Sequence, residues 1–323
     1  MGTLAMQVTT LIPAYKTKYI VELLTGLMTQ TLKPQKVIVS DDSPDGVFGA
    51  LLQSPQMELA RRKLQIEVHT GPRAGAYENF KHLLRLWDGS TELVHLLLDD
   101  DILYPDFYLR HLMAHASCRS PSSISARWCT NERGQPVEGM PIPKNVWFSN
   151  DRIVLLEASL LFSSTLPDCT NWLGEFSNCV MRKEAADLLF SPQFAGVSYE
   201  GLWDLGAFLA ASLIGPVAYI QDRLGAFRAG GEGHSAQLLG KHMKAAHLAY
   251  AALSLGAVRL ERLSPDSARK GYAGLHQALL DRYTAEPDVA PFIPVLGRLA
   301  AGEAEAEAEF LLLWEQFLRS HKF

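Results

Sequence analysis

Apolar and polar positions follow two alternating periods along the first hundred residues. Val8-Thr9-Thr10-Leu11-Ile12-Pro13 is β-branched, ends at a proline and predicts a first strand. Across residues 17 to 31, Ile20, Leu23, Leu24, Leu27 and Met28 recur at helical spacing and share one face. Lys36-Val37-Ile38-Val39-Ser40 predicts a second strand, closed by the polar turn from Asp41 to Gly46. Residues 65 to 70 predict a third strand, 77 to 87 an amphipathic helix and 93 to 98 a fourth strand. Strands that alternate with helices predict right-handed βαβ units, a mostly parallel central sheet and a ligand crevice at the strand C-termini.

Beyond residue 100 the pattern changes. Residues 133 to 148 are rich in glycine and proline and predict a loop or hairpin over the crevice. A helix is expected over 149 to 163, a loop over 166 to 177, a short strand from Asn178 to Met181 and a helix from Lys183 to Phe190. From about Gln237 onward the pattern is almost wholly helical. The stretch 300 to 317 sets Glu303, Glu305, Glu307 and Glu309 among alanines before the apolar Phe310, Leu311, Leu313, Trp314 and Phe317. Alanine and glutamate are strong helix formers, so the alternation predicts helix and not strand. The expected fold class is α/β, with a mostly parallel central sheet and a helical C-terminal region. That region is expected to serve as a binding platform for a substrate, a homo-oligomerisation element or a partner-docking surface.

Bulk properties remove several function classes. A chain of 323 residues, 48% hydrophobic and 20% charged, has ample apolar material for a large core. A net charge of -5 supplies no basic field for a nucleic-acid partner. Cys118, Cys129, Cys169 and Cys179 show no C-x-x-C spacing and read as free thiols. The longest apolar stretch, 205 to 220, contains Gly215 and Pro216 and falls short of the ~20 residues of a membrane span. With no signal-peptide pattern at Met1 to Gln7, a cytoplasmic protein is expected.

The chemistry concentrates where Val94-His95-Leu96-Leu97-Leu98 runs into Asp99-Asp100-Asp101. Three carboxylates at the end of a buried-type strand repel one another unless a cation joins them. Oxygen-only ligands suit a hard divalent metal, Mn2+ or Mg2+, which keeps positions open for substrate phosphates. A solvated, inert acidic turn is the competing reading. A P-loop is excluded, because no G-x-x-x-x-G-K-[ST] occurs.

Four segments in order resemble the inverting glycosyltransferases of family 2, which have the GT-A fold. Leu11-Ile12-Pro13-Ala14-Tyr15-Lys16 resembles their opening strand and turn, with Lys16 at the usual asparagine. Val37-Ile38-Val39-Ser40-Asp41-Asp42-Ser43 resembles the second strand and its Asp-Asp turn. Gly71 through Asn79 resembles the next loop and helix, and Asp99 through Asp106 the D-x-D region with its downstream proline. The resemblance is strongest over residues 6 to 110, extends to about 235 and is absent beyond.

The resemblance implies a UDP-sugar donor bordered by Pro13 and Tyr15. It gives Asp41 to the uracil imide, Arg73 to the base or diphosphate, Asp100 to the ribose and Asp101 to the metal. Asp99 completes the D-x-D. For Asp41 and Arg73 taken singly, a capping carboxylate and a surface arginine are the alternatives. An inverting transferase also needs a carboxylate base for the acceptor hydroxyl. Asp204 opens an apolar helix and precedes Gly215 by eleven positions, as the family base precedes its glycine. Trp203 stands where the family has glutamate, and Glu200 is the fallback base. Trp172 is read as a platform for a sugar ring, Glu175 as a hydroxyl partner, and Arg228 or His234 as reaching the diphosphate.

The implied organisation is a catalytic domain over 1–235, with a donor half to about 110 and an acceptor half beyond, followed by a helical extension over 236–323. The implied activity is transfer of a sugar from a nucleotide donor to a hydroxyl of a glycan or glycoconjugate. Two readings compete with it. One is a nucleotide- or carbohydrate-binding module that has lost the base. The other is a sugar nucleotidyltransferase, which needs a glycine-rich basic loop where this chain has Pro13-Ala14-Tyr15-Lys16.

Overall fold

The structure is a computed structural model that describes residues 6–139, 141–229 and 237–323. In chain order, the N-terminal elements are β1 (Val8–Ala14), α1 (Ile20–Met28), β2 (Lys36–Asp41), α2 (Val47–Leu52), α3 (Glu58–Lys63), β3 (Ile66–Thr70), α4 (Ala76–Trp87), β4 (Leu93–Leu96), β5 (Ile102–Leu103) and α5 (Phe107–Ser117). The middle holds β6 (Ser122–Thr130), β7 (Pro136–Val137), α6 (Lys144–Trp147), β8 (Ile153–Leu156), α7 (Ala158–Thr165), β9 (Cys179–Arg182), α8 (Lys183–Ala186), β10 (Gln193–Phe194), β11 (Val197–Ser198), α9 (Trp203–Ile214) and β12 (Val217–Arg228). Four helices follow, α10 (Lys241–Arg259), α11 (Pro265–Tyr283), α12 (Phe292–Ala301) and α13 (Glu305–His321).

The chain folds as two compact units. The first gathers residues 1–155, 173–190 and 214–229 around a sheet of order β3-β2-β1-β4-β9-β6-β12-β5, with β7 beside β6 and β8 beside β12. β3, β2, β1 and β4 run parallel, as do β6 and β12, whereas β9 is antiparallel to both neighbours and β5 to β12. Nearly every residue of β1 and β2 is buried, as expected of parallel strands covered on both faces. Val8, Ile12, Val37 and Val39 join Leu23 and Leu27 of α1, Phe48 of α2 and Phe107 of α5 in one core cluster.

The second unit gathers residues 156–172, 191–213 and 230–323. α9 is buried at nearly every position from Leu205 to Ser212, which explains a sequence apolar on all sides. Gly201, at φ 98°, lets the lead-in to α9 lie against α10, because a Cβ there would come within 2.8 Å of Ala245 Cβ. The Trp314 indole of α13 donates to the Ser198 carbonyl at 3.0 Å. The C-terminal helices therefore share their unit with segments before residue 213, whereas the expected organisation cut the chain near 235. The helix expected over 149–163 is also corrected. Ile153–Leu156 forms β8 and only 158–165 is helical, since an apolar run of four fits either period.

Candidate active site

The C-terminal edge of the first unit's sheet is tied together by backbone-to-carboxylate hydrogen bonds. The Arg73 N–H donates to Asp42 Oδ1 at 2.8 Å, and the Asp42 N–H donates to the Ala14 carbonyl at 2.9 Å. The next two N–H groups, of Tyr15 and Lys16, both donate to Asp99 Oδ2 at 2.6 Å. Lys16 also reaches over the acidic triplet, with Nζ 2.5 Å from Asp100 Oδ2. The structure thus brings the loop of Arg73, the turn of Asp41, the end of β1 and the acidic triplet to one edge. Tyr15 stands 57% exposed there, and Pro13 lies one turn of the pleat deeper.

Each aspartate of the triplet has its own environment. Asp99 is 6% exposed, and burial pushes its pKa up to about 6 against the pull of the two N–H donors. Asp100 is held by the lysine ammonium. Half-burial of that lysine disfavours its charge, but the hydrogen bond and charge of Asp100 outweigh it and hold the ammonium above its ordinary range. Asp101 is 4% exposed, with Oδ1 accepting from the Arg228 N–H at 3.2 Å, the Ser177 hydroxyl close to the carboxylate, and Oδ2 buried without a well-formed hydrogen bond. Burial first, then the charges of Glu175 and Asp100, raise its pKa well above the usual carboxylate range.

Glu175 belongs to the same unit and faces this triplet. It pairs with Arg127 of β6 at 3.0 Å, and its loop is fixed by Asn178, whose side chain accepts from the Glu175 N–H at 2.9 Å. Sequence reading gave Glu175 a hydroxyl-binding role and did not find Arg127, because β6 and the 175 loop are distant in sequence.

Other expectations take a different form. Both oxygens of Asp41 are engaged within its own turn, Oδ1 by the Ser43 N–H and hydroxyl at 2.9 and 2.5 Å and Oδ2 by the Gly49 N–H at 2.7 Å. That is the capping geometry, and Asp41 shapes the turn. Arg228 is 7% exposed and is not a free hand for a diphosphate. Its guanidinium donates to the Asp100 and Glu132 carbonyls at 3.0 and 2.6 Å, pairs with Glu22 at 2.5 Å and lies 4.2 Å from the Tyr19 ring centre. Trp172 is corrected from a sugar platform to a core residue. It is 2% exposed, in the second unit, and its indole N–H donates to Ser164 Oγ at 3.1 Å. His234 lies outside the described residues.

Asp204 is the second residue of α9. Its Oδ1 accepts from the Leu205 N–H at 2.7 Å and its Oδ2 from the Asn171 side chain at 3.3 Å. Glu200 Oε2 meets the Ser198 hydroxyl at 3.1 Å. Among the described residues no three His, Cys, Asp or Glu side chains stand together as a ready-made metal cage. The edge fits an ion that would share its shell with phosphate oxygens, because Asp101 Oδ2 is a buried carboxylate oxygen that makes no well-formed hydrogen bond.

No protein-family model matches the sequence, and no curated relative matches it. Solved structures do match. Staphylococcus aureus TarS, residues 1–349 in complex with UDP-GlcNAc, superposes with a TM-score of 0.56 at 15% identity, over 98% of this chain and 92% of that one. The fold is of the GT-A type. The mannosyltransferase PcManGT from Pyrobaculum calidifontis, in complex with GDP-Man and Mn2+, superposes with a TM-score of 0.53 at 15% identity, over 96% of this chain and 86% of that one. The GT-A fold supplies the frame in which the carboxylate edge is read. No helix among the described residues is long and apolar enough to cross a membrane.

Proposed function

We propose that this protein is a metal-dependent glycosyltransferase that moves a sugar from a nucleotide donor, a UDP-sugar, to a hydroxyl of a glycan or glycoconjugate, with inversion. The observation that carries the reading is the hydrogen-bonded run from Arg73 through Asp42, Ala14, Tyr15 and Lys16 to Asp99, beside the buried Asp101 carboxylate, whose Oδ2 makes no well-formed hydrogen bond. Two neighbours in fold hold UDP-GlcNAc and GDP-Man, which supports a nucleotide sugar as donor.

In this reading the nucleotide lies along the edge. Arg73, at φ 54° and held through its N–H by Asp42, presents its guanidinium to the base or diphosphate, and Asp41 shapes the turn against which the base rests. The exposed Tyr15 ring borders the nucleotide. Asp101, with Asp99 and Asp100 beside it, would hold Mn2+ or Mg2+, and such an ion would supply positive charge toward the leaving diphosphate. Arg228 fixes Asp101 and the Asp100 backbone in place. Asp204 removes the proton from the acceptor hydroxyl, oriented by Asn171, and the resulting alkoxide attacks the anomeric carbon opposite the leaving group. One displacement inverts the centre.

The test is release of UDP from UDP-sugars in the presence of Mn2+ and a carbohydrate acceptor. Asp101→Asn keeps the size of the side chain, removes its charge and is expected to lower turnover at least a hundredfold. An Asp101→Asn protein that turns over at the parental rate would overturn the metal assignment.

A further inference from the structure

Beside β6 and β12 the first unit holds a second concave surface, a cavity of about 370 Å³. Trp128, Trp147, Arg223, Val137, Ile142 and Glu138 line it. The Arg223 guanidinium lies 4.0 Å from the Trp128 ring centre and 4.9 Å from that of Trp147, within cation–π reach of both indoles. Contact with two indoles restrains the side chain and leaves N–H groups of its planar fork available to a ligand. No acidic side chain among the described residues pairs with it. The neighbouring Asp222 is engaged elsewhere, by Arg110 at 3.3 Å and Arg152 at 4.0 Å.

The backbone around Arg223 is irregular in a way that re-aims the side chain. From Ile220 to Arg223, β12 advances three residues while its partner β6 advances one, from Ser125 to Ala126. From Arg223 to Ala226 it advances three against two. Bulges of this kind redirect a side chain and recur beside binding sites. One residue links the cavity to the carboxylate edge, since Arg127 lines it and pairs with Glu175.

We infer that this cavity is a subsite for an anionic group on the acceptor, a phosphate or carboxylate carried by a sugar. Arg223 receives the anion through a two-pronged hydrogen bond, and the indoles with Val137 and Ile142 take the carbon skeleton. Glu138 at the exposed rim works against the anion and limits its affinity. The acceptor role rests on the transferase reading above, whereas anion binding at Arg223 does not.

Binding is therefore measured without turnover, by calorimetry and by indole fluorescence, with glucose 6-phosphate, glucuronate and glucose as probes. The two charged sugars are expected to bind at least tenfold more tightly than glucose. Whichever of the two binds better identifies the acid group. Arg223→Gln, at an exposed position that leaves the thermal melt unchanged, is expected to abolish the preference, and Glu138→Gln to strengthen binding severalfold. Equal binding of charged and neutral sugars, or a preference that survives Arg223→Gln, overturns the inference. A parallel titration with UDP and Mn2+ keeps the two readings apart, because it reports on the donor edge and is expected to be unaffected by Arg223→Gln.

Discussion

An ammonium group 2.5 Å from a carboxylate is a cation already present at the acidic edge. Lys16 stands where the family resemblance places an asparagine, and its charge lies in the field of both Asp99 and Asp100. A divalent ion approaching the triplet, as proposed, would meet a like charge and compete with the Lys16–Asp100 contact. Lys16→Met removes that competitor while keeping an unbranched side chain only one atom shorter. The variant is expected to bind Mn2+ about tenfold more tightly, or ~1.4 kcal/mol, measured by the loss of free-ion EPR signal on titration. The pair is partly solvated, which keeps the expected gain at this modest level. Unchanged or weaker Mn2+ binding would show that the amine assists the site and does not compete for it.

At the level of elements, α5 lays an ionisable layer against the sheet. His111 and His115 of α5 meet Ser123 of β6 at 2.7 and 2.9 Å, and His95 of β4 lies 3.1 Å from the Tyr108 hydroxyl. Burial holds all three imidazoles neutral, with His95 lowered to about 3, His115 to about 4 and His111 well below its ordinary value. The unfolded chain takes up these protons near pH 6.5 and the folded chain does not. Their stabilisation is thus complete above about pH 6.5 and is lost as pH falls toward 4. Asp99, with its raised pKa, acts in the opposite sense over part of the same window, so a difference between variants is the cleaner measure. His115→Gln is expected to flatten the fall in urea-unfolding free energy between pH 6.5 and 4 by up to ~1.4 kcal/mol per pH unit. Parallel pH profiles for the two proteins would refute it. The same layer explains what the sequence concealed. β1 to β4, α1 and α4 are legible because apolar residues sit at their buried positions. β6 is not, since Ser122, Ser123 and Ser125 occupy positions that a strand covered on both faces normally fills with apolar residues. The site divides likewise. Adjacent aspartates announce themselves, whereas Arg127, Glu22 and the anchoring role of Arg228 arise only when distant segments meet.

Across the whole molecule, the carboxylates of the proposed donor edge, with Glu175 beside them, and the proposed base belong to different units. Asp99, Asp100, Asp101 and Glu175 are built on the sheet of the first unit, and Asp204 with its partner Asn171 is built among the helices of the second. Each group is positioned by contacts within its own unit: Asp101 by Arg228, Asp204 by Asn171 and by the start of α9. Donor binding and base catalysis should therefore separate under mutation. Asp204→Asn preserves the shape of the side chain and can still accept a hydrogen bond, but it cannot take a proton. It is expected to bind UDP and Mn2+ with parental affinity by calorimetry while transfer to the acceptor falls by roughly 10²–10⁴-fold, the usual contribution of a general base. Asp101→Asn should show the reverse order of effects, with Mn2+-dependent UDP binding lost first. If Asp204→Asn weakens UDP binding as much as turnover, the aspartate serves the donor and not the acceptor. Retained turnover in Asp204→Asn that disappears in Glu200→Gln would move the base to Glu200, four residues earlier in the same unit.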